Sequence, residues 1–311
     1  MTRTEAISSR YRGLDLWAEE DILEALWEGQ ARAVAAVRGA LPALAGAARA
    51  IAERLGGSGR IVYVGAGSSG GLAALDGMEL GTTFGWPNER VHLIVAGGET
   101  LQPGTHGGAE DDAATAERRI AALDPGPADA LIAVAASGTT AFTLGAVAAA
   151  AAAGALTIGI ANNPGAPLLA RVDHPVLLDS GPEIISGSTR MNAGTAQKAA
   201  LNMLSTLVMI RLGHVYDGLM VNLRVENAKL RERALGMLVD ITGRGREAAA
   251  DSLRRCDGQV KPAALVLAGA APAEADRLLA ETGGNLRAAL GRLAVGGRAE
   301  NPGSTKQGGV R

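Results

Sequence analysis

RIVYVGAGSSGG, residues 60–71, decides the fold. Ile61 to Val64 is a short run of β-branched and aromatic residues, which reads as a buried strand. It ends in glycines and serines, and a helical pattern follows from Ser69 to Met78. The same grammar recurs down the chain. Val91-HLIVAGG, Ala130-LIAVAASG, Ala155-LTIGIANNPG and the short His174-PVLLD each read as a strand. Glu110 to Ala122 and Thr140 to Ala153 read as helices between them. Strands alternating with helices predict an α/β layered fold with a central parallel sheet flanked by helices.

Outside this region the periodicity is helical. Residues 1–20 read as an extended or partly ordered arm. A helix is predicted from near Asp21, and Pro42, a helix-starting residue, is expected to open a second one. Thr195 to Leu212 and Leu219 to Leu238 are predicted as helices. From Thr242 onward, short helices split by Gly and Pro suggest a small helical domain. Gly296 to Arg311 is rich in Gly, polar and charged residues, and disorder is expected there. The expected divisions are an N-terminal arm and helices over 1–50, an α/β domain over 51–238, a helical domain over 239–295 and a tail over 296–311.

Composition narrows the function. Of 311 residues, 43 are glycine, a share about double the usual ~7%. No Gly-X-Y period runs through them, so the excess points to backbone brought close to a ligand. Only three Trp, three Tyr and two Phe are present. That argues against stacking on single-stranded nucleic acid and against stacked-sugar binding. The net charge of −2 gives no electrostatic case for nucleic acid or a membrane surface. A single cysteine, Cys256, excludes an internal disulfide and a multi-Cys zinc site, and it reads as a small buried residue. The N-terminus lacks the apolar core of a signal peptide. The nearest candidate for a membrane span, Leu144 to Ile160, is short, alanine-rich and broken by Gly154. A cytoplasmic protein is expected.

Two strand ends carry candidate ligand loops: Gly65-Ala-Gly-Ser-Ser-Gly70 and Ser137-Gly-Thr-Thr140. In open α/β sheets ligands bind beyond the carboxyl ends of strands, where helix N-termini favour anions. Hydroxyls beside free backbone N–H groups suit a phosphate. No Gly-Lys-Ser/Thr follows, so this is not a P-loop. Gly65, Gly67 and Gly70 fit G-x-G-x-x-G, but no acidic residue ends the second strand, so a dinucleotide site is a poor fit. Ser186-Gly-Ser-Thr-Arg190 is a third hydroxyl-rich turn, ahead of a helix, able to cap it or to bind phosphate. Glu79, in apolar GMELG, is either a surface residue or a proton-transfer group with a raised pKa. Glu110 sits at an expected helix start, where it complements the dipole or takes part in chemistry. His92, His106, His174 and His214 are dispersed, without metal-ligand spacing.

These motifs resemble one family. YVGAGSSGGLAALDGMELGTTFG (63–85), GGAEDD (107–112), AASGTT (135–140) and SGSTRMNAGTAQKAALNMLSTLVMIRLGHVYDGLMV (186–221) look like the N-acetylmuramic acid 6-phosphate etherases, which are sugar-isomerase-type (SIS) proteins. The resemblance runs from about residue 4 to 295, and ETGGNLRAALGRL (281–293) looks like the family's small helical tail domain. It implies a three-layer SIS-type fold and release of D-lactate from the sugar phosphate by elimination then hydration, with no metal or organic cofactor. It places the two catalytic glutamates on Glu79 and Glu110. It places the phosphate among Gly67, Ser68, Ser69, Ser137, Thr139 and Thr140. Ser188 and Thr189 are expected to join them, from the neighbouring subunit of a homodimer. The implied partner is a small-molecule sugar phosphate, not nucleic acid or membrane.

The chain departs from the family pattern in places. Gly71 and Thr139 stand where the family has arginines, Ala141 where it has proline, and Asn192 where it has lysine. Leu80-Gly-Thr-Thr follows Glu79 in place of Cys-Pro-Pro-Thr. Losing two arginines and a lysine removes anion-binding capacity. Two other readings therefore stand beside the etherase. One is a non-catalytic sugar-phosphate sensor, as in the related glucokinase regulatory protein. The other is a different SIS-type isomerase or lyase.

Overall fold

The computed structural model describes residues 3–98 and 108–299. His106 and Gly107 therefore lie outside the described residues. The chain divides into two compact units. One comprises Met1–Leu80 with Pro87–Val208, the other Gly81–Trp86 with Met209–Arg311.

The first unit is built on a parallel sheet, as the alternating pattern predicts. Its strands are β1 (Ile61–Gly65), β2 (Val91–Val95), β3 (Ala130–Val134), β4 (Leu156–Ala161) and β5 (His174–Leu177), in the order β2-β1-β3-β4-β5. β1, β3 and β4 are buried at every position, while β2 and β5 are partly open. That fits a parallel sheet covered on both faces with β2 and β5 at its edges. Val62, Val64, Leu131 and Ala133 pack with residues of α3 (Ala113–Ala122) and α4 (Ala141–Ala152). Tyr63 points to the opposite face. There its hydroxyl donates to Asp76 on α2 (Gly67–Phe84) at 2.8 Å.

α1 (Glu19–Leu55) lies along β3, β4 and β5. It is the one helix among the described residues long and apolar enough to cross a bilayer by composition; a third of that apolar window is buried, and Leu23, Trp27, Val34 and Leu41 are exposed. The expectation of a break at Pro42 is wrong, because α1 is continuous through it. Its buried stripe, Val37, Ala40, Leu44, Ala48, Ile51 and Leu55, carries on across the proline. Pro42 and Arg38 both face solvent, where water can satisfy the carbonyl that the ring leaves unpaired. The arm before α1 forms three short 3₁₀ turns, at Arg3–Glu5, Ser9–Tyr11 and Leu14–Leu16.

α5 (Asn192–Arg211) closes the first unit's part of the chain and begins three residues before its predicted start. The second unit is helical: α6 (Ala228–Thr242), α7 (Arg246–Arg255), α8 (Val260–Leu267), α9 (Pro272–Glu281) and α10 (Leu286–Ala299) enclose their own core. The predicted helix over Leu219 to Leu238 is corrected to α6, which starts at Ala228 on the side-chain cap of Asn227. Residues before it are irregular. Val221 and Leu223 are buried there, and the Asn222 amide donates to the Phe84 carbonyl at 3.0 Å. α10 covers residues 296–299 of the expected tail, and 300–311 lie outside the described residues.

Candidate active site

The strand order fixes where a ligand can sit. After β1 the chain moves outward to β2 and then returns to the other side of β1 as β3. Two neighbouring strands whose connections leave in opposite directions open a crevice at their carboxyl ends. β1 and β3 are that pair, with Gly65 registered beside Val134. The two hydroxyl-bearing loops therefore end adjacent strands. The first passes from Gly65 through Ala66 straight into α2 at Gly67, and the second runs from Ala135 to Thr140 ahead of α4. Both helices present their N-terminal N–H groups to this edge, where an anion is favoured.

Glycines make the first turn possible. A Cβ on Gly70 would lie 2.7 Å from the Gly65 carbonyl, so only glycine lets α2 start this close to its strand. Gly67, Ser68 and Ser69 form the first turn of α2, with Gly67 and Ser68 exposed. In the second loop Gly138 has φ +67°, and a Cβ there would meet Ala166 at 2.5 Å. The Ser137 hydroxyl accepts from the Thr139 amide at 3.2 Å and from the Thr139 hydroxyl at 3.0 Å. Thr140, the N-cap of α4, makes no side-chain cap.

Glu79 lies on α2 and is exposed. Lys198 of α5 holds it, Nζ to Oε2, at 3.5 Å. One turn earlier on α2, Asp76 is 2% exposed. It accepts from Tyr63 at 2.8 Å, from the Asn202 amide at 2.7 Å and from Ser205 at 3.1 Å. Burial pushes the Asp76 pKa up, and these three donors only partly offset it. The network joins α2 to α5 and to β1, so it fixes the helix turn that carries Glu79. Sequence reasoning singled out neither Lys198 nor Asp76. Glu110 is exposed, in a 3₁₀ turn over Ala109–Asp111. The helix expected from Glu110 begins instead at Ala113, capped by Asp112, whose Oδ1 accepts from the Thr115 amide at 2.9 Å.

The turn from Ser186 to Arg190 leads into α5. The capping expected of its hydroxyls falls to a different residue. Glu183, fully buried, accepts from the Asn192 amide at 2.8 Å and the Ala193 amide at 2.9 Å. Burial raises its pKa against the pull of these N–H groups. Ser188 and Thr189 are partly buried. The Thr189 carbonyl accepts from the Gly194 amide at 2.9 Å, and a Cβ on Gly194 would lie 3.5 Å from Leu72 of α2. This turn thus stands close to the start of α2. Among the described residues no three His, Cys, Asp or Glu side chains gather as a metal site. Cys256 is buried in the second unit's core, and burial pushes its thiol pKa up.

The chain matches the glucokinase regulatory protein N-terminal SIS domain over residues 43–151 and the SIS domain over 110–207. A putative phosphosugar isomerase of Bacteroides fragilis, involved in capsule formation, superposes with a TM-score of 0.49 at 19% identity, covering 63% of this chain and 94% of that one. An N-acetylmuramic acid 6-phosphate etherase of Deinococcus radiodurans is 52% identical over 290 residues, 93% of this chain and 95% of the relative. The same-named protein of Rubrobacter xylanophilus is 44% identical over 289 residues, again 93% and 95% of the two chains. At that identity over nearly the full length of both, the chain belongs to the N-acetylmuramic acid 6-phosphate etherase family.

Proposed function

We propose that this protein cleaves the D-lactyl ether of N-acetylmuramic acid 6-phosphate, giving N-acetylglucosamine 6-phosphate and D-lactate. The observation that carries the reading is the pairing of two hydroxyl and glycine loops on adjacent strands β1 and β3, with Glu79 on the helix that leaves the first loop. The phosphate lies among Gly67, Ser68, Ser69, Ser137, Thr139 and Thr140, held by hydroxyls and the first-turn N–H groups of α2 and α4. Ser188 and Thr189 add to it. With Gly71 and Thr139 in place of arginines, recognition rests on backbone and hydroxyls.

The reaction needs two proton-transfer groups. Ring opening exposes the C1 aldehyde, which acidifies the C2 proton. Glu110 takes that proton, the C3–O bond breaks, and Glu79 protonates the departing lactate oxygen. Glu79, now a carboxylate, takes a proton from water as hydroxide adds to C3, and the proton held by Glu110 returns to C2. Lys198, 3.5 Å from the Glu79 carboxylate, orients it. The family also points to a homodimer, which light scattering on the purified protein tests.

The test is an enzyme-coupled D-lactate assay on N-acetylmuramic acid 6-phosphate. Glu79→Ala is expected to lower kcat by about 10²–10⁴-fold, with the fold intact by circular dichroism. No lactate from the parent enzyme at high substrate would sink the proposal. A thermal shift with hexosamine phosphates but no turnover would favour a sensor instead.

A further inference from the structure

The second unit holds a cavity of about 440 Å³, lined by none of the residues placed in the reaction. Its wall comes from residues 221–225, the corner at 257–262, and Gly85, Leu279 and Gly284. Lys261 is the unusual member. It is 8% exposed, whereas lysines are almost never buried this far without a partner. Among the described residues it makes no ion pair and no hydrogen bond. Its Nζ lies 3.6 Å from where a side chain on Gly284 would begin, so the amine faces the cavity wall opposite its own helix. Burial alone lowers its pKa, to about 8. The group is therefore still mostly charged at neutral pH, and an unpaired ammonium on a side chain this buried, lining a cavity, favours an anion there.

The backbone at the same place has the matching polarity. α8 starts at Val260, and its N-cap Gln259 supplies no side-chain cap. The first-turn N–H groups of Val260 and Lys261 have no carbonyl partner within the helix, and the positive end of the dipole lies there. Arg224, exposed, adds a second cation to the lining, and Asp257, also exposed, is its one acidic residue. The volume is in the range of small-molecule sites.

We propose that this cavity is a second ligand site, one that binds a small phosphate- or carboxylate-bearing anion through Lys261, the first turn of α8 and Arg224. None of its lining residues belongs to the phosphate loops, and it does not depend on the reaction assigned to them. The anion replaces the missing carboxylate partner of Lys261.

Competitive labelling of the full chain tests this. Acetic anhydride acylates free amines, and peptide mass spectrometry reads each lysine separately. Labelling near the Lys261 pKa of about 8 is measured with and without inorganic phosphate, and with and without D-lactate. Lys229, on α6, is the internal reference. Anion at about ten times its Kd should slow acylation of Lys261 about tenfold and leave Lys229 unchanged. Protection by phosphate alone, or by lactate as well, identifies which anion the site takes. Arg224→Ala, which leaves Lys261 in place, should shift protection to higher anion concentration. Equal slowing of Lys229 and Lys261, or none at saturating anion, overturns the proposal. So does protection that disappears in Ser137→Ala, which would put the anion in the first unit's loops.

Discussion

Asp129 gives the first unit a pH-sensitive contact between a single side chain and its donors. It is 4% exposed and accepts from Arg60 Nη2 at 2.7 Å, Arg60 Nε at 3.1 Å, the Arg60 amide at 2.8 Å and the Gly126 amide at 2.9 Å. Burial pushes its pKa up, but these donors outweigh it and hold the carboxyl below its ordinary value. A carboxylate with a lowered folded pKa contributes stability that is fully present above its unfolded value of about 3.9, and that stability is lost as pH falls through the folded value. Asp129→Asn should therefore cost about 1–3 kcal/mol near pH 7, because the charge-assisted bonds to Arg60 are lost while Arg60 keeps the Leu123 and Asp124 carbonyls. The gap in Tm between variant and parent should narrow on acidification, and thermal melts across acid pH read it. Lys198→Met tests a different role. The Lys198–Glu79 pair is too exposed to matter much for stability, so the melt should barely move. Lactate release should fall between about tenfold and 100-fold through misplacement of Glu79. Equal kinetics would show that Lys198 does not orient the glutamate.

α1 shows how packing overrides a local signal. Proline inside a helix removes a hydrogen bond and clashes with the preceding turn, so Pro42 reads as a boundary. Burial of a continuous stripe against β3, β4 and β5 keeps the helix continuous through it. Pro42→Ala should restore the missing bond and stabilise the chain by about 1–3 kcal/mol, measured as a higher denaturation midpoint. An unchanged or lower midpoint would mean that the ring contributes contacts of its own. Strands β1 to β4 and helices α2 and α4 are legible because apolar runs leading into glycine-bearing turns leave little choice. The stretch before α6 carries a second periodicity. Leu219, Val221, Leu223 and Val225 alternate with a period of two, a strand-like signal that the helical reading passed over, and the structure buries Val221 and Leu223 there. The cap of α5 was hidden for another reason. Glu183 lies nine residues before Asn192, outside the three-residue reach of ordinary capping signals.

Over the whole chain, alternation of strands and helices foretold a parallel sheet but not its order. The return of β3 to the free side of β1 turns two ordinary-looking loops into neighbours. The loops were therefore legible as separate motifs. Lys198 and Asp76, more than a hundred residues apart, met only through the fold. Each unit also carries its own core. Leu238, fully buried among the helices of the second unit, should cost about 2–5 kcal/mol when cut to alanine, seen as a lower midpoint in urea. A loss under 1 kcal/mol would mean that this core collapses around the gap. The tryptophans divide along the same line. Trp17 and Trp27 belong to the first unit, and Trp27 is 64% exposed; Trp86, in the second unit, is 2% exposed. In a chain carrying Trp17→Phe and Trp27→Phe, tryptophan emission, excited selectively over tyrosine, would thus come from the second unit alone. Its emission would follow the unfolding of that unit optically, without any attached dye.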